Sequence, residues 1–402
     1  MKIKRISVFI FIIVLSLTSY SCAKKNSSDP AAPQNPAASQ TDINKEGKID
    51  SGLLLGLSAA EKDSNNRVSS YRTLWIAPQD GSIKVAETPK IIVPYGQDWW
   101  IIERTQYSDE KQPEYASNSS AKNTIVINDL ISYPANKSYS NSESIRKYAQ
   151  VLLPDYQAVE EDRKIVFVGN KYVSILSDFY YNTGGTLKPY FRDAYVVEIN
   201  TINRNFAYVD PEASLCPGSS DIKELKKIAA PNIIGNEVSS YIEKYKNTNI
   251  DENEQGLYGS SPEIKNTSDE YGWSIVRKDS RWVPQIAKKW SFSNASTYSE
   301  GLTLYDLPLS IPKSITSFND LYPDWNSIKK SIPEAFDAVS SPTKDMLAVL
   351  TSDKLLIYAN PLEDMSEPEL SLKLNNESLI MAQWATGEYV QKWNAELSGI
   401  LK

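Results

Sequence analysis

The side chains that carry most covalent and acid–base chemistry are scarce in this 402-residue chain: it has no histidine, and its only cysteines are Cys22 and Cys216. Without an imidazole, Ser-His-Asp and Cys-His nucleophile systems, His-ligated zinc and haem, and the usual near-neutral pH switch are excluded. Two cysteines also cannot build a four-cysteine zinc site or an iron–sulfur cluster. Cys216 sits in Ser214-Leu215-Cys216-Pro217-Gly218. With no histidine to lower its pKa, it reads as an inert thiol.

A Ser-Lys dyad needs no histidine, and Ser-x-x-Lys occurs at Ser119/Lys122, Ser144/Lys147, Ser220/Lys223, Ser327/Lys330 and Ser341/Lys344. That many matches is what chance gives in a Ser- and Lys-rich chain, and the companion Ser-x-Asn and Lys-Thr-Gly motifs form no recognisable set. Asp251 to Gly256 resembles the opening of an EF-hand loop. Pro262, however, stands where a bidentate Glu should close the site, so no metal is expected. Neither Gly-x-x-x-x-Gly-Lys nor Gly-x-Gly-x-x-Gly occurs, and the residues call for no cofactor.

Carboxylates and aromatics remain. A carboxylate pair can hydrolyse glycosidic bonds without histidine. Asp193 shares a strand face with Phe191, Tyr195, Val197 and Ile199, where partial burial could raise its pKa; the preferred reading places it near the hairpin end, relieved by water or Arg192. The chain holds 24 tyrosines and 9 tryptophans. Trp99-Trp100, Phe179-Tyr180-Tyr181 and Trp273/Trp282/Trp290 could stack on sugars or peptides, although aromatics at strand spacing more often form core or cross-strand pairs. Trp99, Trp100, Tyr180, Tyr181 and Asp193 are therefore the candidate ligand-binding residues; no catalytic set emerges. The formal charge of −7 is spread without long blocks, which argues against nucleic acid as a partner.

The N-terminus carries an address. Lys2, Lys4 and Arg5 precede an apolar run from Ile6 to Leu17 and the small or polar residues Thr18, Ser19 and Ser21. This is the pattern of a secretory signal peptide over residues 1–21, with an apolar run too short to span a bilayer. Ser19-Tyr20-Ser21-Cys22 resembles the lipobox of bacterial lipoproteins, with Ser19 where that family usually has leucine. The resemblance implies a diacylated, palmitate-type anchor on Cys22, and two acyl chains meet the requirement for stable membrane attachment. Removing residues 1–21 takes three positive charges and no negative one, moving the formal charge from −7 to −10. Residues 22–50 then read as the lipidated cysteine and a Pro/Ala/Ser/Asn tether. Ala23 resembles the residue that permits transfer to an outer membrane where the envelope has one.

The elements that would position the candidates are mainly strands, over residues 51–402. Leu74 to Ala86 reads as a hairpin around Asp80-Gly81, and with Ile91 to Val93 and Trp99 to Ile102 it suggests a four-strand meander. Residues 105–123 and 132–144 read as exposed loops flanking a strand at Thr124 to Ile131, and Ser142 to Leu153 as a short helix. Lys164 to Thr201 forms strands and a long hairpin. Asp221 to Ala230 and Glu237 to Lys246 have helical periodicity, giving a helical insertion at 220–247. Strands follow at 272–277, 281–286 and 302–305, then a helix at 325–331. The segments 341–350 and 354–358 resemble one strand pair of a β-propeller blade, and 387–401 is a helix with Tyr389, Trp393, Leu397 and Ile400 on one face.

The expected fold is α+β and β-dominated, with antiparallel meander or propeller-like sheets, a helical insertion and a C-terminal helix; no repeat at 40–50 residues marks a whole propeller. The expected protein is a lipid-anchored binding or envelope-interaction module on the extracytoplasmic face of the membrane, with a protein or glycan ligand. The alternative is a carboxylate-dependent hydrolase acting on envelope polymers. Strand-after-strand order argues against the two α/β lobes of a solute-binding lipoprotein.

Overall fold

Runs of Leu, Ile, Val, Tyr and Trp bounded by short turns dictate strands, and the computed structural model is built almost wholly from them. It describes residues 49–63, 66–111, 123–139, 159–183, 186–203, 240, 244, 264–265, 271–293, 298–316 and 318–401. The strands are β1 (Ser51–Asp63), β2 (Asn66–Gln79), β3 (Ser82–Thr88), β4 (Ile91–Tyr95), β5 (Asp98–Lys111), β6 (Asn123–Pro134), β7 (Val159–Val168), β8 (Tyr172–Thr183) and β9 (Thr186–Glu198). They continue with β10 (Ile264–Lys265), β11 (Tyr271–Lys278), β12 (Arg281–Ser293), β13 (Tyr298–Asp306), β14 (Asp337–Ser340), β15 (Met346–Leu350), β16 (Lys354–Ala359), β17 (Leu370–Lys373) and β18 (Ser378–Thr386). Helix α1 (Trp325–Ser331) precedes β14 and helix α2 (Glu388–Leu397) follows β18. No helix among the described residues is long and apolar enough to cross a membrane.

The strands form four sheets in a propeller-like ring. Their orders are β18-β1-β2-β3, β4-β5-β6-β7-β8-β9, β11-β12 with β10 and β13, and β14-β15-β16-β17. Pairing is antiparallel except between β6 and β7, which run parallel. The first sheet joins the two ends of the ring: β1 pairs with β18, placing Leu53 opposite Trp384 and Ser51 opposite Thr386.

Strand β1 shows why its run of leucines is needed. Leu53, Leu55 and Leu57 enter one core with Trp273, Met346 and Leu350, whereas Leu54 enters a second with Trp75, Ile92 and Trp393. A strand covered on both faces reads as continuously apolar, and each leucine buried this way contributes about 1.5–3 kcal/mol. The β14–β17 sheet repeats the pattern. Met346, Ala348 and Leu350 face the shared core, while Leu347 and Val349 pack with Ile328 and Ile332 from α1 and its C-terminal end. Asp324 caps α1 by accepting the N–H groups of Asn326 and Ser327. Helix α2 buries Val390, Trp393 and Leu397, with the Trp393 ring 5.5 Å from Trp75 and 5.1 Å from Trp99.

The hairpin at Asp80-Gly81 turns through φ values of 51° and 77°, the positive pair that a two-residue turn requires. The four strands expected as one meander are divided between two sheets. β2 and β3 stay in the first, and the chain crosses at Pro89-Lys90 into β4 and β5 of the second. The Thr73 hydroxyl fixes this crossing, donating to the Lys90 carbonyl at 2.7 Å and accepting from the Ile92 N–H at 3.0 Å. Two stretches expected as loops are partly strand: β5 runs on to Lys111, and Ser132 to Pro134 complete β6. Their polar composition is overridden by twelve-residue pairing between β5 and β6, from Trp100/Pro134 to Lys111/Asn123.

At Gly169 a Cβ would stand 2.1 Å from the Ile315 carbonyl oxygen, so only glycine allows the 312–315 segment to dock on the β7–β8 turn. The residues 1–48, which include the signal segment, Cys22 and nearly all of the tether, lie outside the described residues, as do Cys216, the Asp251 loop and the expected helix at 142–153. Of the helical insertion only Ser240 and Lys244 are described, both as helix.

Candidate functional site

The six-stranded sheet departs from the apolar pattern in its middle. Register places Gln106 opposite Asn128, Asn128 opposite Asp162, Asp162 opposite Asp178 and Asp178 opposite Arg192, so one polar row crosses five strands on one face. Asn128 Oδ1 accepts from Gln106 Nε2 at 3.0 Å and also from Arg104. Lys164 Nζ lies 3.1 Å from Asp162 and 3.3 Å from Asp178, and Arg192 Nε donates to Asp178 at 2.6 Å. The opposite face has its own row, with Arg163 opposite Ser177 and Ser177 opposite Asp193. There Arg163 forms a buried ion pair with Asp129 and donates to the Tyr195 hydroxyl at 2.8 Å, while Ser177 donates to Glu161 at 3.1 Å.

Desolvation governs the protons. Burial raises the Asp162 pKa, and Lys164 and Arg104 oppose the shift without cancelling it. Burial pulls Lys164 down, but Asp162 and Asp178 outweigh it and its pKa is raised. Burial likewise drives the Tyr71 phenol far above its usual range, while its oxygen accepts the Ile165 N–H at 3.0 Å. Asp162 and Asp178 share one ammonium and are therefore close neighbours, and a close pair of carboxylates is what two-carboxylate hydrolysis uses. Both are buried, however, and their charge is balanced by Lys164 and Arg192.

A cleft of about 350 Å3 opens beside Arg104 and Gln106, lined by Ser69, Ser70 and Tyr71 of β2, Pro89 and Lys90 of the crossing, and Glu103 to Gln106 of β5. That volume is at the lower end of small-ligand sites. Lys90 Nζ pairs with Glu103 at 2.7 Å, and Glu103 accepts from the Tyr133 hydroxyl at 2.8 Å. The lining thus mixes hydrogen-bonding groups with the apolar surface of Tyr71 and Pro89 around one braced ion pair. It contains neither Asp162 nor Asp178. Among the described residues no group of three or more Cys, Asp or Glu is placed to hold a metal ion.

The residues singled out from the sequence are dispersed. Trp99 is half-buried against Trp393 and donates to Glu396 at 3.0 Å; Trp100, also half-buried, meets Tyr95 edge-on at 5.2 Å. Tyr180 is buried, and Tyr181 lies in β8 opposite Val159 and Lys188. Asp193 is buried in β9 opposite Ser177, and its carboxylate accepts the Ala194 N–H at 2.9 Å. Ser341 accepts the N–H groups of Asp345 and Met346 within a turn, while Lys344 lies over the Tyr322 ring, so this Ser-x-x-Lys is a turn element.

Sequence reasoning missed the polar row and the cleft. One signal was available: Glu160-Glu161-Asp162-Arg163-Lys164 runs straight into Ile165-Val166-Phe167-Val168, so a charged run is continuous with a strand. Compared with protein-family models, curated proteins and solved structures, the chain has no match in any of the three.

Proposed function

We propose that this protein is a lipoprotein held at the extracytoplasmic face of a membrane by acylated Cys22, and that its β-rich domain is a binding module. The observation that carries the binding reading is the separation of the cleft from the Asp162/Asp178 pair. The cleft presents Ser69, Ser70, Thr105 and Gln106 around the Lys90–Glu103 pair, while Asp162 and Asp178 are buried, charge-balanced and outside its lining. A site of this composition recognises a polar ligand through hydrogen bonds, and its one carboxylate, Glu103, is already engaged by Lys90 and Tyr133. The anchor reading rests on the basic start, the short apolar run and Ser19-Tyr20-Ser21-Cys22. Palmitate labelling of the full chain should place radioactivity in the membrane fraction and lose it in Cys22→Ala; label that persists in the variant removes the anchor.

The hydrolase alternative is favoured by one observation, the Asp162–Lys164–Asp178 grouping with its raised Asp162 pKa. On the binding reading, wild-type protein and Asp162→Asn should be equally inactive across a panel of envelope glycans. Turnover by the wild type that Asp162→Asn abolishes would establish the alternative.

A further inference from the structure

Strand β1 is where the chain enters the ring, and it runs between β18 and β2. Its entry is fixed to two sheets. The Asp50 N–H donates to Asp345 Oδ2 at 2.6 Å, the Asp50 carbonyl accepts the Gly387 N–H at 2.9 Å, and the Ser51 and Thr343 hydroxyls bond at 2.6 Å. From there the ladders to both neighbours run antiparallel, Ser51/Thr386 to Ser58/Ser378 on one side and Leu53/Ile76 to Asp63/Asn66 on the other. Antiparallel hydrogen bonds lie perpendicular to the strands, so a pull along β1 strains all of them together, whereas prising one end sideways breaks them one at a time. Side chains also block sliding. A Cβ at Gly52 would run into the Trp75 ring, and one at Gly56 would stand 2.7 Å from the Met381 Cβ. Drawn out by one residue, β1 brings Leu53 and Leu57 to these two notches; drawn out by two, it brings Leu54 and Ser58. The same movement takes Leu53, Leu54, Leu55 and Leu57, all fully buried, out of two cores.

Resting on the anchor and binding readings above, we propose that β1 is a brace built into the fold. It carries a pull between the membrane anchor and a partner held at the cleft, resists that pull in shear, and is locked against sliding by the notches at Gly52 and Gly56. The two points of attachment lie toward opposite ends of the strand. The tether joins at Asp50, and Ser69 of the cleft lies opposite Ala60, nine residues along β1 from Ser51, or about 30 Å at roughly 3.3 Å per residue. A pull between them therefore runs along β1 rather than across it. A pull between the two chain ends does the reverse. The C-terminal segment leaves the ring after Thr386, the residue opposite Ser51, so drawing it away from the tether opens the β1–β18 pair from that end.

The test pulls single molecules of the full chain lacking only its signal peptide, all carrying Cys216→Ser, by DNA handles attached to thiols. One handle is on the Cys22 thiol, the group that the anchor reading acylates. In the first geometry the second handle is placed by Asn375→Cys, in the exposed turn before β18, which loads β1 against β18 in shear. In the second it is placed by Lys402→Cys, which peels α2 and then unzips the same pair from Ser51/Thr386. The β1–β18 rupture force is expected to be at least about twice as high in shear, because the rungs must yield together. Adding Trp75→Phe, which shortens the ring over Gly52, should lower the shear force toward the unzipping force and leave the unzipping force unchanged. Equal forces in the two geometries would overturn the proposal. So would a shear force that Trp75→Phe leaves alone, or an equal drop in both geometries, which is what a merely structural role for Trp75 gives. The comparison of geometries stands by itself if that variant misfolds. Neither measurement needs lipid or ligand, so a failed anchor, read by palmitate label that persists in Cys22→Ala, is told apart from a failed brace.

Discussion

The β14–β17 sheet is antiparallel throughout and the β4–β9 sheet nearly so, yet the two use strand pairing for opposite ends. In β15 every residue from Met346 to Leu350 is buried and apolar, with alternate side chains entering two cores. In the middle of the six-stranded sheet the equally buried positions are Asn128, Asp129, Glu161, Asp162, Arg163, Ser177 and Asp193. Burial in the first sheet releases free energy at about 25 cal/mol per Å2 of apolar surface. In the second it must be offset by pairing, because a buried charge is tolerated only with an opposite charge or several hydrogen bonds. One sheet is held by bulk hydrophobicity, which many sequences satisfy, and the other by specific partners, which few do.

That contrast can be broken experimentally. The largest effect should come from Asp129→Ala, which leaves the Arg163 guanidinium buried without its carboxylate and should cost about 3–5 kcal/mol in urea unfolding. The double change Asp129→Leu with Arg163→Met should recover most of that loss. If the double variant is as unstable as the single one, the polar rows are structural supports in their own right. Leu347→Ala in the apolar sheet should cost about 2–5 kcal/mol, with no second substitution of a charged partner able to rescue it.

The smallest effect is a pH dependence centred on Asp162 in the polar sheet. Asp162 has a raised pKa in the folded state, so it binds its proton more tightly folded than unfolded. Its contribution is full below the ordinary aspartate value of 3.8 and is lost as pH rises through the elevated folded value. Paired unfolding curves should therefore show wild type losing ground to Asp162→Asn as pH rises above 3.8. A difference that stays flat or moves the other way would mean that the Lys164 interaction outweighs burial.

Legibility in the sequence followed the same division. The Asp80-Gly81 hairpin, α1 at 325–331, the β15–β16 pair and α2 with its Tyr389, Trp393 and Leu397 stripe were all readable, since each is specified by neighbours within about 20 residues. Asp193 corrects the sequence reading: it is not relieved by water at the hairpin end but fully buried, on the apolar face that strand parity assigns it, while Arg192 turns to Asp178. The crossing at Pro89-Lys90 was not, because the hydroxyl that fixes it belongs to Thr73 and nothing local marks it. The polar row was invisible for a stronger reason. Gln106, Asn128, Asp162, Asp178 and Arg192 come from five strands, and only their register sets them side by side.

By itself the sequence determined a β-dominated fold with a helix at its end, and it excluded histidine-dependent chemistry, because periodicity, turn residues and composition are local or additive properties. Tertiary structure alone decided that β18 closes on β1, with Leu53 opposite Trp384, and that β2 and β5 line one cleft. Pairing across more than 300 residues depends on the summed complementarity of whole strands, which no short segment encodes.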